Sequence, residues 1–377
     1  MYAAMRRVYL LLSFSFLLGL AGCGTTTPFQ SSDPGSPIPK IVGFDDEKYF
    51  IDERGYRFFP WGLNYTYTAE IGLIDDDLYS EEAWWIIDSD FAEMKALSAN
   101  VVRVHLQYHR FMLDPSTPDK DAFAAIDRLV EIAERHSIYL LVTGLGAYRK
   151  SDSPEWYDSL STSERWDTQA LFWQTLARQV GHSGAIFAYD LMNEPTVAVC
   201  ATAKDTCEWV VGEPLGGFHF VQNITLDHPS PYRATMAQWE KKLRTAIRRE
   251  DKVTLTTVGH LGLGPIEGFD GGVDFLSIHV YPKHKELLRS INKVKGSKSD
   301  RPLLISEYFN LYAGIDDLGY VLDGIEGDYQ GVIGHYQGQT TAELSQSYDA
   351  VDMVWRAFLE FFVERNPNIQ TGQAEQP

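Results

Sequence analysis

Residues 185–195 read AIFAYDLMNEP. Ala185–Ala188 is an uninterrupted apolar run that continues through Tyr189, Asp190, Leu191 and Met192 to Asn193, Glu194 and Pro195. Such a run reads as a buried strand, here one that stops at an amide and an acid. Neighbouring side chains on a regular strand point to opposite faces. Asn193 and Glu194 can therefore serve one site only where the strand breaks. Pro195 lacks a ladder donor and is expected to supply that break.

Outward from this strand, strand-like and helix-like stretches alternate. On the N-terminal side, Lys48–Phe59 reads as two short strands around a Glu53-Arg54-Gly55 turn, and Phe59–Tyr65 as a further strand. Asp88–Ala99 has helical spacing, Asn100–Leu106 follows as a strand, and Asp121–His136 is an amphipathic helix with Phe123, Ile126, Leu129, Val130 and Ile132 near one face. Ile138–Val142 is the next strand and Thr162–Val180 the next helix. On the C-terminal side, a helix over Arg233–Arg249 precedes a strand at Val253–Val258. Phe275–Val280, His284–Val294, Leu303–Tyr308, Asp316–Ile325 and Gly331–Gly334 continue the alternation, and a last helix is expected from Thr341 to Arg365. Eight strands, most followed by a helix, predict a (β/α)8 TIM barrel over residues 41–366, with a disordered tail at 367–377. The rival is a doubly wound sheet, which advertises a glycine-rich phosphate loop after its first strand. Trp61-Gly62-Leu63-Asn64 is no such loop, Gly144-Leu145-Gly146 lacks a third glycine, and Gly262-Leu263-Gly264 runs into Pro265.

The composition suits a large core: 377 residues, 44% of them hydrophobic. A net charge of −19 gives no electrostatic reason to bind nucleic acid or an anionic membrane surface. Aromatics make up 13%, and rings stack on sugar faces as well as filling cores. At the N-terminus, Arg6 and Arg7 precede the apolar run Val8–Leu20, which is short for a bilayer span. The run ends in Leu20-Ala21-Gly22-Cys23, which resembles the lipobox of bacterial lipoproteins. That resemblance implies a signal peptide over 1–22, cleavage before Cys23, and a lipid on that cysteine. Gly24 in the next position implies outer-membrane sorting within the cell envelope. The Ser, Thr, Pro and Gly-rich stretch after Cys23, to residue 40, reads as a flexible tether. Of three cysteines, Cys200 and Cys207 remain, close enough in sequence to staple one loop in an oxidising compartment.

Catalytic groups of a barrel sit where its strands end. Strand ends supply Asn64, Arg103, Asn193, Glu194, His279, Tyr281 and Glu307. Two of these are carboxylates, after the fourth and seventh strands, and two opposed carboxylates are the minimal apparatus for cleaving a glycosidic bond. Asn193-Glu194-Pro195, His279-Val280-Tyr281, Ile305-Ser306-Glu307 and Arg103 together resemble a clan A glycoside hydrolase, most similar to glycoside hydrolase family 5. The resemblance implies that Glu194 is the acid/base and Glu307 the nucleophile, with retention of configuration. It also implies that Asn193 bonds a sugar 2-hydroxyl, that Arg103 and Tyr281 hold the nucleophile ionised and aligned, and that His279 lines the same subsite.

Two positions depart from the family. Its usual histidine near the end of strand three is missing from Leu141–Gly146, and its strand-eight tryptophan from Gly334-His335-Tyr336-Gln337-Gly338. Tyr336 or His335 is the expected substitute. His105 and His109, four apart but near a strand end, read as rim residues rather than metal ligands. No HExxH or GxSxG occurs, and nothing calls for a metal or cofactor. The expected partner is an oligo- or polysaccharide, a β-1,4-glucan or β-mannan, bound by a monomer that meets the membrane only through its anchor. An exo-acting β-glycosidase, a glycolipid-cleaving enzyme and a non-catalytic glycan-binding lipoprotein are the alternatives.

Overall fold

The computed structural model of the chain describes residues 38–68, 70–198, 207–227, 230–262, 272–296 and 299–370. Eight parallel strands close into a barrel. They are β1 (Trp61–Tyr65), β2 (Val101–Gln107), β3 (Tyr139–Gly146), β4 (Ile186–Asn193), β5 (Leu255–Leu261), β6 (Leu276–Val280), β7 (Leu303–Tyr308) and β8 (Val332–His335). Each pairs with the next in sequence, and β8 closes on β1 with His335 opposite Asn64. The predicted (β/α)8 architecture is present.

Helices α1 (Glu81–Ala96), α2 (Lys120–His136), α3 (Thr162–Val180), α4 (Tyr232–Glu250), α5 (Leu287–Gly296), α6 (Ile315–Gly324) and α7 (Ala350–Glu364) follow strands in turn. Their ends follow local chemistry. Asp119 caps α2 by accepting the N–H groups of Asp121 and Ala122, and Ser161 with Glu164 forms a capping box on α3. The first helix begins at Glu81 rather than Asp88, because Ser80 caps it there. The single last helix expected from Thr341 to Arg365 is two, Thr341–Ser345 and α7, because the Asp349 side chain caps Val351 and starts a new one. The chain also stays ordered past 366: Pro367–Gln370 forms a further helical turn where the tail was expected to begin.

The N-terminal strands Ile41–Phe44, Phe50–Asp52 and Arg57–Phe58 form a small antiparallel sheet. This sheet plugs the bottom of the barrel. Phe50 packs its edge on Phe187 at 5.0 Å and on Phe275 at 5.1 Å, in a cluster that also holds Ile41, Leu141 and Leu304. With the bottom sealed by rings, only the C-terminal mouth is left for polar work. Among the described residues no helix is long and apolar enough to cross a membrane. Cys23 and the tether lie outside the described residues.

Candidate active site

The break that lets Asn193 and Glu194 share a site is not made by Pro195. The register of β4 against β5 shifts between Asp190 and Asn193, and Glu194 itself adopts a left-handed backbone with φ 47°. A non-glycine residue pays about 1–3 kcal/mol for such a conformation, and such residues concentrate at functional sites. The Glu194 N–H is held by the Gly259 carbonyl of β5 at 2.8 Å, which fixes the bend. Pro195 instead begins a short strand, Pro195–Thr196, that pairs with Val221–Asn223 in the loop after β4.

Arg103 of β2 organises the barrel mouth from beneath. Its Nε and Nη2 donate to Asp190 Oδ2 at 3.1 and 2.6 Å, and Nη2 also donates to Asn193 Oδ1 at 2.8 Å. Nη1 donates to Glu307 Oε1 at 2.7 Å and to Asn64 Oδ1 at 2.9 Å, and lies 3.0 Å from His105 Nε2. A guanidinium has five N–H donors, and all are spent inside the protein. Arg103 is wholly buried. It holds Glu307 and has no donor left for a ligand, so it is a positioning residue. Asn64 lines the cavity and is tied into the same network. Its Nδ2 donates to the Ser306 and Gly334 carbonyls, both at 2.8 Å, so its amide ties β1 to β7 and β8. Asn193 keeps more freedom: its Nδ2 donates to the Phe220 carbonyl at 3.1 Å, which leaves that amide a second N–H.

Above this network stand the two carboxylates. Tyr281 donates a short hydrogen bond to Glu307 Oε2, and His335 Nε2 lies 3.2 Å from the Tyr281 hydroxyl. His279 Nδ1 sits 2.6 Å from Glu194 Oε1 and 3.5 Å from Glu307 Oε2. One oxygen of each glutamate and a nitrogen of His279 all lie within 4.8 Å of one another. The glutamates therefore face each other across the mouth. Burial alone would push the Glu307 carboxyl up, but His279, the Arg103 guanidinium and the Tyr281 hydroxyl together hold it well below the usual carboxylate range. Burial, then the charge on Glu307, pushes the Tyr281 hydroxyl well up, so it remains a donor. Burial pulls His335 down to about 4 against the charge of Glu307. A neutral His335 can then donate its Nε2–H to Tyr281.

Three contributors escaped the sequence reading. Asp190 accepts from Arg103, from Thr143 Oγ1 at 2.8 Å and from the Gly259 N–H at 2.7 Å. A charge inside an otherwise apolar strand is the signal that could have found it, since buried charges are paired. His105 is no rim residue. It is buried between Arg103 and the Tyr148 hydroxyl, 2.6 Å from its Nδ1, and burial with the neighbouring guanidinium holds it well below its usual range. Tyr148 thus stands just past β3, where no histidine ends the strand. Trp355 of α7 is the third. It lines the cavity over the carboxylates together with His335 and Tyr336, and packs on Phe309 at 4.6 Å. Of the two expected substitutes for the missing tryptophan, His335 joins the Glu307 network, and Tyr336 directs its hydroxyl to Asp90 Oδ1 at 3.5 Å. His109 is partly exposed outside the cavity. Cys207 is disulfide-bonded, and Cys200, its expected partner, lies outside the described residues.

A closed parallel barrel with two facing glutamates at its C-terminal mouth is the architecture of the (β/α)8 glycoside hydrolases. The cellulase family, glycosyl hydrolase family 5, matches residues 64–261, more than half of the chain, and the chain belongs to that family. A β-xylosidase of Phanerodontia chrysosporium is 26% identical over 247 residues, an alignment that spans 63% of this chain and only 38% of that protein. Among solved structures, the exo-β-1,4-mannosidase Op5Man5 from Opitutaceae bacterium strain TAV5 superposes with a TM-score of 0.61 at 19% identity, covering 86% of this chain and 61% of that one. The endo-1,4-β-mannanase from Rhizomucor miehei gives 0.57 at 16% identity, covering 86% of this chain and all of its own. At these identities the structures speak for the fold.

Proposed function

We propose that the protein is a retaining β-glycoside hydrolase acting by double displacement on a β-linked glucoside or mannoside. The observation that carries this reading is the unequal setting of two facing glutamates. Glu307 is gripped by Arg103 and Tyr281 and kept ionised, whereas the Glu194 carboxyl bonds neither and, among the described residues, is held by His279. An ionised carboxylate is the nucleophile such a reaction needs, and the other carboxyl must carry the proton. One oxygen of each glutamate lies within 4.8 Å of the other, which suits the carboxyl separation of about 5–5.5 Å in retaining enzymes better than the roughly 6.5–9.5 Å that admits a water in inverting ones.

In the first step Glu307 attacks the anomeric carbon and the glycosidic bond breaks toward the leaving oxygen, which takes the proton from Glu194. His279 Nδ1 holds Glu194 Oε1, which leaves Oε2 for that proton. In the second step Glu194 takes a proton from water, the water oxygen attacks the anomeric carbon, and the ester to Glu307 breaks. The spare N–H of Asn193 is suited to a sugar hydroxyl on the bound ring. The reaction is the same whether the leaving group is another sugar, as in a β-1,4-glucan or β-mannan, or a different alcohol.

The test is a 2-deoxy-2-fluoro β-glycoside with a dinitrophenyl leaving group, which should stall after the first step. Peptide mass spectrometry should then find the sugar on Glu307. An enzyme left unlabelled while it hydrolyses the parent glycoside would overturn the assignment, and a protein inert toward both would favour a binding role. We further propose that Cys23 carries a lipid that tethers the domain to the bacterial cell envelope, at the outer membrane. Cys23→Ser should move the protein from the membrane to the soluble fraction, and an unchanged distribution would refute the anchor.

A further inference from the structure

The cavity over the carboxylates has a volume of about 560 Å3 and two unlike sides. Toward β8 and β1 it is lined by Tyr67, His335, Tyr336 and Gln337. These groups can stack on a sugar ring or bond its hydroxyls. Toward β5, β6 and β7 the wall is Leu261, Val280, Val294 and Leu311, joined by Leu215 from the loop after β4. Phe218 and Phe220 of the same loop and Tyr312 after β7 also line the cavity, so that side is largely apolar.

The reaction geometry says what meets the apolar side. Nucleophile and leaving group lie on opposite sides of the anomeric carbon, so the leaving group departs on the side of Glu194. Glu194 follows β4 and is bonded to Gly259 of β5, and β5 ends two residues later at Leu261. From Leu261 the wall continues in strand order through Val280 and Leu311. The loops after β6 and β7 are joined by a bridge between Lys283 and Tyr312, so this part of the wall is pre-formed. A second sugar there would turn most of its hydroxyls onto carbon, which is unfavourable. The polar groups lining that side, on Lys283, Ser290, Lys293 and Tyr312, are not buried, and a lysine lays its hydrocarbon stem on apolar surface while its amine stays in water. Leu261 and Leu311 are also 53% and 39% exposed, apolar surface in the mouth of a cleft that a ligand would cover.

We infer that the leaving group is an apolar alcohol, an alkyl or lipid chain, so that the substrate is an amphipathic β-glycoside. The inference rests on the hydrolase reading of the same site. The glycosidic bond breaks with its electron pair going to the alcohol oxygen, Glu194 supplies the proton, and water completes the sugar. The products are the free sugar and the alcohol.

The experiment uses the purified protein and compares kcat/KM across methyl, butyl and octyl β-glucosides and β-mannosides, all below their micellar concentrations. Cellotetraose, mannotetraose and the dinitrophenyl glycosides run beside them. A fully buried methylene is worth up to about fourfold, so kcat/KM should rise by at least about 30-fold from methyl to octyl. Leu261→Asp and Leu311→Asp, at exposed positions and checked for an unchanged melting curve, should bring the octyl-to-methyl ratio close to one. A flat alkyl series alongside rapid dinitrophenyl glycoside cleavage would overturn the inference and leave the hydrolase reading standing. Faster cleavage of either tetraose than of the octyl glycosides would overturn it too. If no glycoside is cleaved, not even the dinitrophenyl ones, the hydrolase reading falls and this inference with it.

Discussion

The two ends of the barrel are built from the same strands and are equally buried, yet burial does opposite work in them. At the N-terminal end, Phe50, Phe187 and Phe275 close the bottom with ring contacts, packed with Ile41, Leu141 and Leu304. There burial stabilises by removing apolar surface from water, and shape is all that matters. At the C-terminal end, Arg103, Asp190, Asn193 and Glu307 are as dry, but each is held by named partners. Here burial strengthens every charge interaction and makes each partner indispensable. A methyl group lost from the bottom leaves a hole, whereas a partner lost from the top leaves an uncompensated charge.

That contrast can be broken in several places. Glu307→Gln should reduce turnover to background on any glycoside, because no covalent intermediate forms; circular dichroism should show an intact fold. Glu194→Ala should lose about 10²–10⁴-fold on substrates with poor leaving groups. Azide should restore its turnover of activated β-glycosides and release the β-glycosyl azide.

Phe50→Ala and Arg103→Gln should each destabilise by about 3–5 kcal/mol in urea titrations, one by a cavity and the other by leaving Asp190 without its counter-charge. Only Arg103→Gln should change the pH profile. The guanidinium helps hold Glu307 ionised, so without it the carboxyl protonates at higher pH, and the acid limb of kcat/KM should move up by about 1–3 units. An equal shift in Phe50→Ala would show that the two ends are not independent. The smallest effect is expected at Gly259, where an added Cβ would come within 2.9 Å of both Arg103 Nη2 and His279 Nε2. Gly259→Ala should lower kcat by about tenfold through displacement of groups that position the glutamates, with KM little changed.

The two ends were also unequally legible in the sequence. Apolar runs announced the strands, and polar residues at their C-terminal ends announced Glu194, Glu307, His279 and Tyr281, because a strand that turns polar at its end has reached a surface or a site. Asp190 was hidden, since strict alternation along β4 fails at the register shift that brings Asp190 and Asn193 to the same guanidinium. The left-handed backbone of Glu194 was hidden behind the more visible proline. His105 was misjudged because its two bonds, to Arg103 and Tyr148, need the third dimension. Trp355 lies on a helix, and nothing local to a helix says which turn overhangs the mouth. The bottom plug was only half visible: the hairpin around Gly55 was legible, but the strand Ile41–Phe44 that completes its sheet was not.

The most direct test of the account is the anomeric form of the first sugar released. Cleavage of an activated β-glycoside, followed by proton NMR within the first minute, separates the newly formed anomer from the slow mutarotation that follows. Under the proposed double displacement, the β-anomer should appear first and the α-anomer only later. An α-anomer appearing first would mean a single displacement by water and would contradict the assignment of Glu307 as nucleophile.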